Sequence, residues 1–122
     1  MPNAPRQIVL VVEDEVLIRL EAAQALSDHG YEVVEAEHAA HAISICVQHP
    51  RIDLLFTDVN MPGDMNGIDL AEYLLTERPR LKIIITSAAP LLRSINHLEA
   101  AFLPKPYEMM RLREAAAGLL AA

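Results

Sequence analysis

Five short runs rich in Val, Ile and Leu recur along the chain: Ile8–Val12, Tyr31–Glu35, Leu54–Thr57, Lys82–Thr86 and, more weakly, Ala101–Leu103. Runs of this kind suit strands buried on both faces of a parallel sheet. Helical spacing fills the intervals. Ile18, Ala22, Ala25, Leu26 and His29 share one face of Glu15–His29, and Gly30 ends that helix. Ala39, Ala42, Ile43, Cys46 and Val47 repeat the spacing before Pro50. Ile68, Ala71 and Leu75 do so within Gly67–Arg78, before Pro79, and a last helix starts near Tyr107. A strand–helix unit repeated five times predicts an α/β fold, a parallel sheet covered by helices on both faces.

The length of 122 residues suits one domain with one core, here taken as 1–122 with its core at about 7–121. Aromatic residues are few and Trp is absent, so aliphatic side chains and Ala must fill that core. The formal charge of −7 argues against a nucleic-acid surface, which needs clustered Lys and Arg. It is compatible with a basic partner or a bound cation. The single Cys46 excludes an internal disulfide and a cysteine zinc cluster. No apolar run approaches the roughly 18 residues of a membrane span. The start, MPNAPRQ, has no signal-peptide hydrophobic region. These features read as a cytoplasmic protein with no membrane partner.

In open parallel sheets, sites form beyond the carboxyl ends of the strands. The first run ends in Glu13 and Asp14, within VVEDE; the third ends in Asp58, within FTDVNMPGDMNG. The fourth ends in Thr86, Ser87 and Ala88, and the fifth leads to Lys105, within FLPKPY. Only the second offers nothing distinctive. Three carboxylates in one crevice repel one another, and a hard divalent cation such as Mg²⁺ resolves this. Mg²⁺ takes few protein ligands, which leaves positions for a phosphoryl oxygen. Lys105 adds a positive charge and Ser87 a hydroxyl donor, so a phosphoryl group would be held there. Asp58 is then a nucleophile able to form an aspartyl-phosphate.

These residues resemble the receiver domain of two-component response regulators. The likeness covers nearly the whole chain. It rests on four pieces in order: an acid pair after strand one, D-x-x-M-P-G after strand three, S-A after strand four and K-P after strand five. The resemblance implies a doubly wound, flavodoxin-like sheet with strand order 2-1-3-4-5. It implies that Asp58 accepts phosphate from a phosphohistidine of a sensor histidine kinase or histidine phosphotransfer protein. Asp14, Asp58 and the backbone carbonyl of Asn60 would bind Mg²⁺, with Glu13 acting through a metal-bound water. Ser87 would hydrogen-bond the phosphoryl group and move toward it, and Lys105 would pair with a phosphoryl oxygen. Lys105–Pro106 would be a cis peptide. Phe102, core-facing, would change rotamer as Ser87 moves, and the small Ala88 would leave the phosphate an open approach. Such a domain is a switch that phosphorylates and dephosphorylates itself, not a turnover enzyme.

Two departures from the pattern stand out. The loop after Asp58 carries one residue more than the common spacing, at Asp64. The stretch from Ser87 to Lys105 is about four residues short, about one helical turn, with Pro90 early in it and room for only about two turns in Leu91–Leu98. The fourth helix is expected to be short or irregular. Alternatives are a receiver excised from a hybrid histidine kinase, which LPKPY resembles, and a receiver that binds partners without phosphate; the start MPNAPRQ favours a whole protein. A haloacid-dehalogenase-type phosphatase would need a second Asp where Asn60 stands. A monomer or weak homodimer is expected. His38 and His41, at i and i+3, read as a solvated pair, and Cys46 as a small core residue.

Overall fold

The computed structural model describes residues 5–121. Its elements are β1 (Ile8–Val12), α1 (Val16–Asp28), β2 (Glu32–Ala36), α2 (Ala39–Gln48), β3 (Ile52–Asp58), α3 (Gly67–Glu77), β4 (Lys82–Ser87), a 3-10 turn (Asn96–Leu98), β5 (Ala101–Pro104) and α4 (Met109–Leu120). The five strands are all parallel, in the order β2-β1-β3-β4-β5. The doubly wound sheet and its order are those the family resemblance implies. No helix among the described residues is long and apolar enough to cross a membrane.

Alternation along each strand divides the core in two. Val9, Val11, Leu54, Phe56, Ile84 and Leu103 face α1 and α4, where Ala22, Leu26, Leu112 and Ala116 meet them. Leu10, Val12, Leu55, Ile83 and Ile85 face the other way, onto Ala42, Cys46, Ile68, Ala71, Leu74 and Leu98 from α2, α3 and the 3-10 turn. Each fully buried Leu or Ile contributes about 1.5–3 kcal/mol relative to an exposed one, so the central strands are the most strongly held part of the molecule.

The fourth crossover departs from the five-fold repeat. Residues 88–100 form no α-helix, only the single 3-10 turn, which is less than the two turns the sequence left room for. The consequence appears on β5. Phe102 pairs with Ile85 and therefore lies on the α3 side of the sheet, but no helix reaches it there, and it is 41% exposed. The core-facing position expected for Phe102 is thus wrong, because the helix that would cover it is missing. Two smaller differences have local causes. His29 lies exposed just past the end of α1, and Val47 points to solvent while Ile45 packs against the core instead.

The start of α3 is fixed with unusual closeness to the end of β3. Asn66 and Asp69 form a reciprocal capping box, and the Gly67 amide donates to the Val59 carbonyl at 2.8 Å. A Cβ on Gly67 would lie 2.0 Å from the Asp58 carbonyl oxygen and 3.0 Å from Thr57 Oγ1. The nearer neighbour is backbone and cannot swing aside. Gly67→Ala is therefore expected to cost about 2–3 kcal/mol of stability, read from the midpoint of urea unfolding. An unchanged midpoint would mean that α3 slides off β3 freely.

Candidate functional site

Backbone hydrogen bonds first lace the strand ends into one edge. The Glu13 amide donates to the Ala36 carbonyl at 3.1 Å, Val59 to Thr86 at 2.9 Å, and Lys105 to Ser87 at 2.9 Å. The end of β2, which offers no reactive side chain, thus serves by positioning Glu13. Arg19 on α1 adds to this. Its Nη1 donates to the Glu13 carbonyl at 2.9 Å while its Nε pairs with Glu35 at 3.1 Å. The hydroxyl of Thr57 donates to the Asp58 carbonyl at 2.9 Å, and that of Thr86 to the Leu103 carbonyl at 2.6 Å. These buried threonines hold the ends of β3 and β5; the sequence placed Thr86 at a strand end but gave no sign of either bond.

Upon this frame sit the charged groups. Carboxylate oxygens of Glu13, Asp14 and Asp58 all lie within 4.8 Å of one another, and only Asp14 is exposed. Lys105 Nζ reaches between two of them, donating to Glu13 Oε1 at 2.7 Å and to Asp58 Oδ2 at 3.1 Å. The second oxygen of Glu13 accepts from the Glu15 amide at 3.1 Å. Burial raises the Glu13 carboxyl above its ordinary value, against the opposing hydrogen bonds from Lys105 and Glu15. Burial by itself would lower the Lys105 ammonium; its bonds to Glu13 and Asp58 outweigh this, and the net shift is upward. The lysine is therefore firmly charged, and its charge is what lets two carboxylates share a buried edge. The peptide Lys105–Pro106 is cis.

Other expected residues lie at the same edge without joining the cluster. Ser87 is buried, but its hydroxyl donates to the Ala89 carbonyl at 2.9 Å and accepts from the Ala89 amide at 3.2 Å. Asn60 is exposed, its amide a long 3.4 Å from Asp58 Oδ1. Asn60 and Ser87 line the same cavity beside the edge, together with Arg93. In the loop carrying Asp64, Gly63 takes φ +107, and Asp58 lies within β3. Tyr107 is a residue that sequence reading passed over. Its ring meets Phe56 edge-on at 5.8 Å, and its buried hydroxyl has no hydrogen-bond partner among the described residues. Burial, then the charges of Glu13, Asp58 and Glu21, push its phenol strongly upward. Elsewhere, His38 caps α2 by accepting from the His41 amide, and Cys46 is core.

The donor set suits a small hard cation. Two oxygens each about 2.0–2.1 Å from one Mg²⁺ lie at most about 4.2 Å apart, so carboxylates already within 4.8 Å of one another would need to close only slightly around such an ion, and the buried negative charge exceeds what Lys105 alone balances.

Residues 9–117 match the family model described as response regulator receiver domain. The chain is 36% identical over 112 residues to the transcriptional regulatory protein PdtaR of Mycobacterium tuberculosis, covering 88% of this chain and 53% of that protein. It is 34% identical over 109 residues to the sensor kinase CckA of Brucella abortus, covering 85% of this chain and 11% of that one. It thus spans about half the length of the first and about a tenth of the second. Among solved structures, a response regulator receiver protein from Pseudomonas putida superposes with a TM-score of 0.85 at 31% identity, covering 94% of this chain and 98% of that one. Sheet order and sequence likeness agree over nearly the same residues, and the chain belongs to the response regulator receiver domain family of two-component signalling.

Proposed function

We propose that the chain is a phosphorylation switch in which Asp58 accepts a phosphoryl group from a phosphohistidine of a sensor histidine kinase or histidine phosphotransfer protein. The observation that carries this is the Lys105 ammonium held between Glu13 and Asp58 at 2.7 and 3.1 Å, at the open edge of the sheet. An Asp58 carboxylate oxygen attacks phosphorus; the O–P bond forms, the P–N bond breaks, and its electron pair stays on the departing imidazole nitrogen. As Asp58 becomes esterified, Lys105 exchanges its bond to Oδ2 for one to a phosphoryl oxygen. The Ser87 hydroxyl, now spent on Ala89, turns to a second phosphoryl oxygen. Glu13, Asp14, Asp58 and the Asn60 carbonyl are the groups that would hold Mg²⁺, which when bound neutralises charge on the transferring group. The protein is a switch and not a turnover enzyme, and residues 1–122 constitute the domain, with a core at about 7–121. The likeness to CckA supports a second setting for the same chemistry, a receiver within a kinase chain.

The phosphohistidine donor needs a surface beside the site. α1 starts three residues after Glu13, and its first turns expose Val16 at 55%, Leu17 at 76% and Leu20 at 48%. Three neighbouring apolar side chains at the rim of a charged crevice suit an apolar helical face on a partner protein.

Incubation with Mg²⁺ and acetyl phosphate is expected to add one phosphoryl group by intact mass, with none added to Asp58→Asn or in the presence of a chelator. Absence of any adduct would sink this reading in favour of a phosphate-independent binding module. Leu17→Asp is expected to slow transfer from a phosphohistidine protein about tenfold, as loss of a central apolar anchor does, while leaving acetyl phosphate labelling unchanged. Equal slowing of both reactions would mean that Leu17 supports the site and not a partner.

A further inference from the structure

The segment between β4 and β5 is fastened to α3 by side chains. Arg93 Nη2 pairs with Asp69 Oδ1 at 2.5 Å and Nη1 with Glu72 Oε1 at 3.5 Å, while His97 Nε2 meets Glu72 Oε2 at 2.8 Å. All of these groups are more than a third exposed. Exposed pairs of this sort contribute little, so Arg93 can change partners at small cost. Arg93 also lines a cavity of about 370 Å³ with Asn60, Asn66 and Ser87, which opens at the carboxyl edge of the sheet.

The charge at that edge asks for a second cation. Glu13, Asp14 and Asp58 carry three negative charges against one on Lys105, and a divalent ion brings the sum to zero. A phosphoryl group on Asp58 replaces one carboxylate charge with about two. About one negative charge is then unmatched. Arg19, the other arginine near the cluster, is only 13% exposed and already committed to Glu35 and the Glu13 carbonyl. Arg93 is loosely held, lines the cavity with Ser87, and carries the planar fork that suits phosphoryl oxygens.

We propose that Arg93 is a second phosphoryl ligand. Resting on the reading of Asp58 as phosphoacceptor, the inference is that Arg93 leaves Asp69 and Glu72 when Asp58 is phosphorylated and takes a phosphoryl oxygen across the cavity. The segment 88–100 is drawn toward the strand ends, and the acidic face of α3 is released from it.

Beryllofluoride with Mg²⁺, a phosphoryl stand-in, tests this by calorimetric titration. Four proteins are compared: wild type, Arg93→Gln, the pair Asp69→Asn with Glu72→Gln, and Arg51→Gln. Asn at 69 keeps an acceptor for the capping box, and exposed Arg51, at the opposite edge of the sheet, controls for net charge. Arg93→Gln is expected to weaken binding about tenfold and the double variant to tighten it severalfold, with Arg51→Gln within about twofold of wild type. Wild-type affinity in Arg93→Gln overturns the inference and leaves the phosphoacceptor reading standing. Equal weakening in Arg93→Gln and the double variant means the ion pairs only hold the segment in place. Weakening by Arg51→Gln to match Arg93→Gln reduces the effect to bulk charge. No beryllofluoride bound by wild type removes the phosphoacceptor reading itself, and this inference with it.

Discussion

The Lys105 ammonium between Glu13 and Asp58 is the contact on which the functional edge depends. It joins the ends of β1 and β3 to the chain leaving β5. Without a cation, two carboxylates within 4.8 Å of each other repel by about 3–4 kcal/mol even at an effective dielectric of about 20. That is a large fraction of the stability of a small domain, and the crevice holds a third carboxylate besides. The Glu13 carboxyl is raised chiefly by burial, which opposes its charge more than its hydrogen bonds support it, and the Asp58 charge adds to this. The fold therefore keeps a site that is electrostatically unfinished, and a site of that kind responds to whatever charge arrives.

Such a site needs a stiff base. The central strands supply it, with Leu10, Leu54, Leu55, Ile84 and Ile85 fully buried between two helical layers. The stiffness is passed to Asp58 through short links. Thr57 holds its carbonyl, Gly67 packs directly against that carbonyl, and the Gly67 amide holds Val59. Asp58 is thus coupled to the first turn of α3 by backbone contact, with no flexible side chain between. Movement at the edge has to be taken up elsewhere.

The sheet order was legible through the family resemblance, and the acidic edge through one rule. Parallel strands present all their carboxyl ends at one side, so residues far apart in sequence must meet there. Strand boundaries moved by a residue or two, as end effects do: Leu54–Thr57 became Ile52–Asp58. What escaped was whatever depends on a neighbour's presence. Phe102 has the pattern of a core residue, yet its exposure is decided by a helix missing from another stretch of chain. The bonds of Arg93 to Asp69 and of His97 to Glu72 span 24 and 25 residues and leave no local periodicity. The orphan hydroxyl of Tyr107 is likewise a matter of what packs over it, not of its own sequence context.

The fourth crossover is where the adaptable part of the molecule lies, and magnitudes explain why. Its 3-10 turn makes two backbone bonds, Leu98 to Ile95 and Glu99 to Asn96, and Leu98 is its one deeply buried side chain. Burial of Leu98 contributes about 1.5–3 kcal/mol, and each exposed ion pair to α3 adds at most about 1 kcal/mol. A charge-assisted hydrogen bond contributes about 1.5–3 kcal/mol, so two new ones to a phosphoryl group are comparable with Leu98 and the ion pairs together, with Leu91, Ile95 and Ala100 adding partial packing. An α-helix of three or four turns packed on β5 would have raised that threshold well beyond what one phosphoryl group supplies. Replacing it with a side-chain-fastened strap lowers the threshold into range, and leaves Phe102 uncovered at the point where the strap would move.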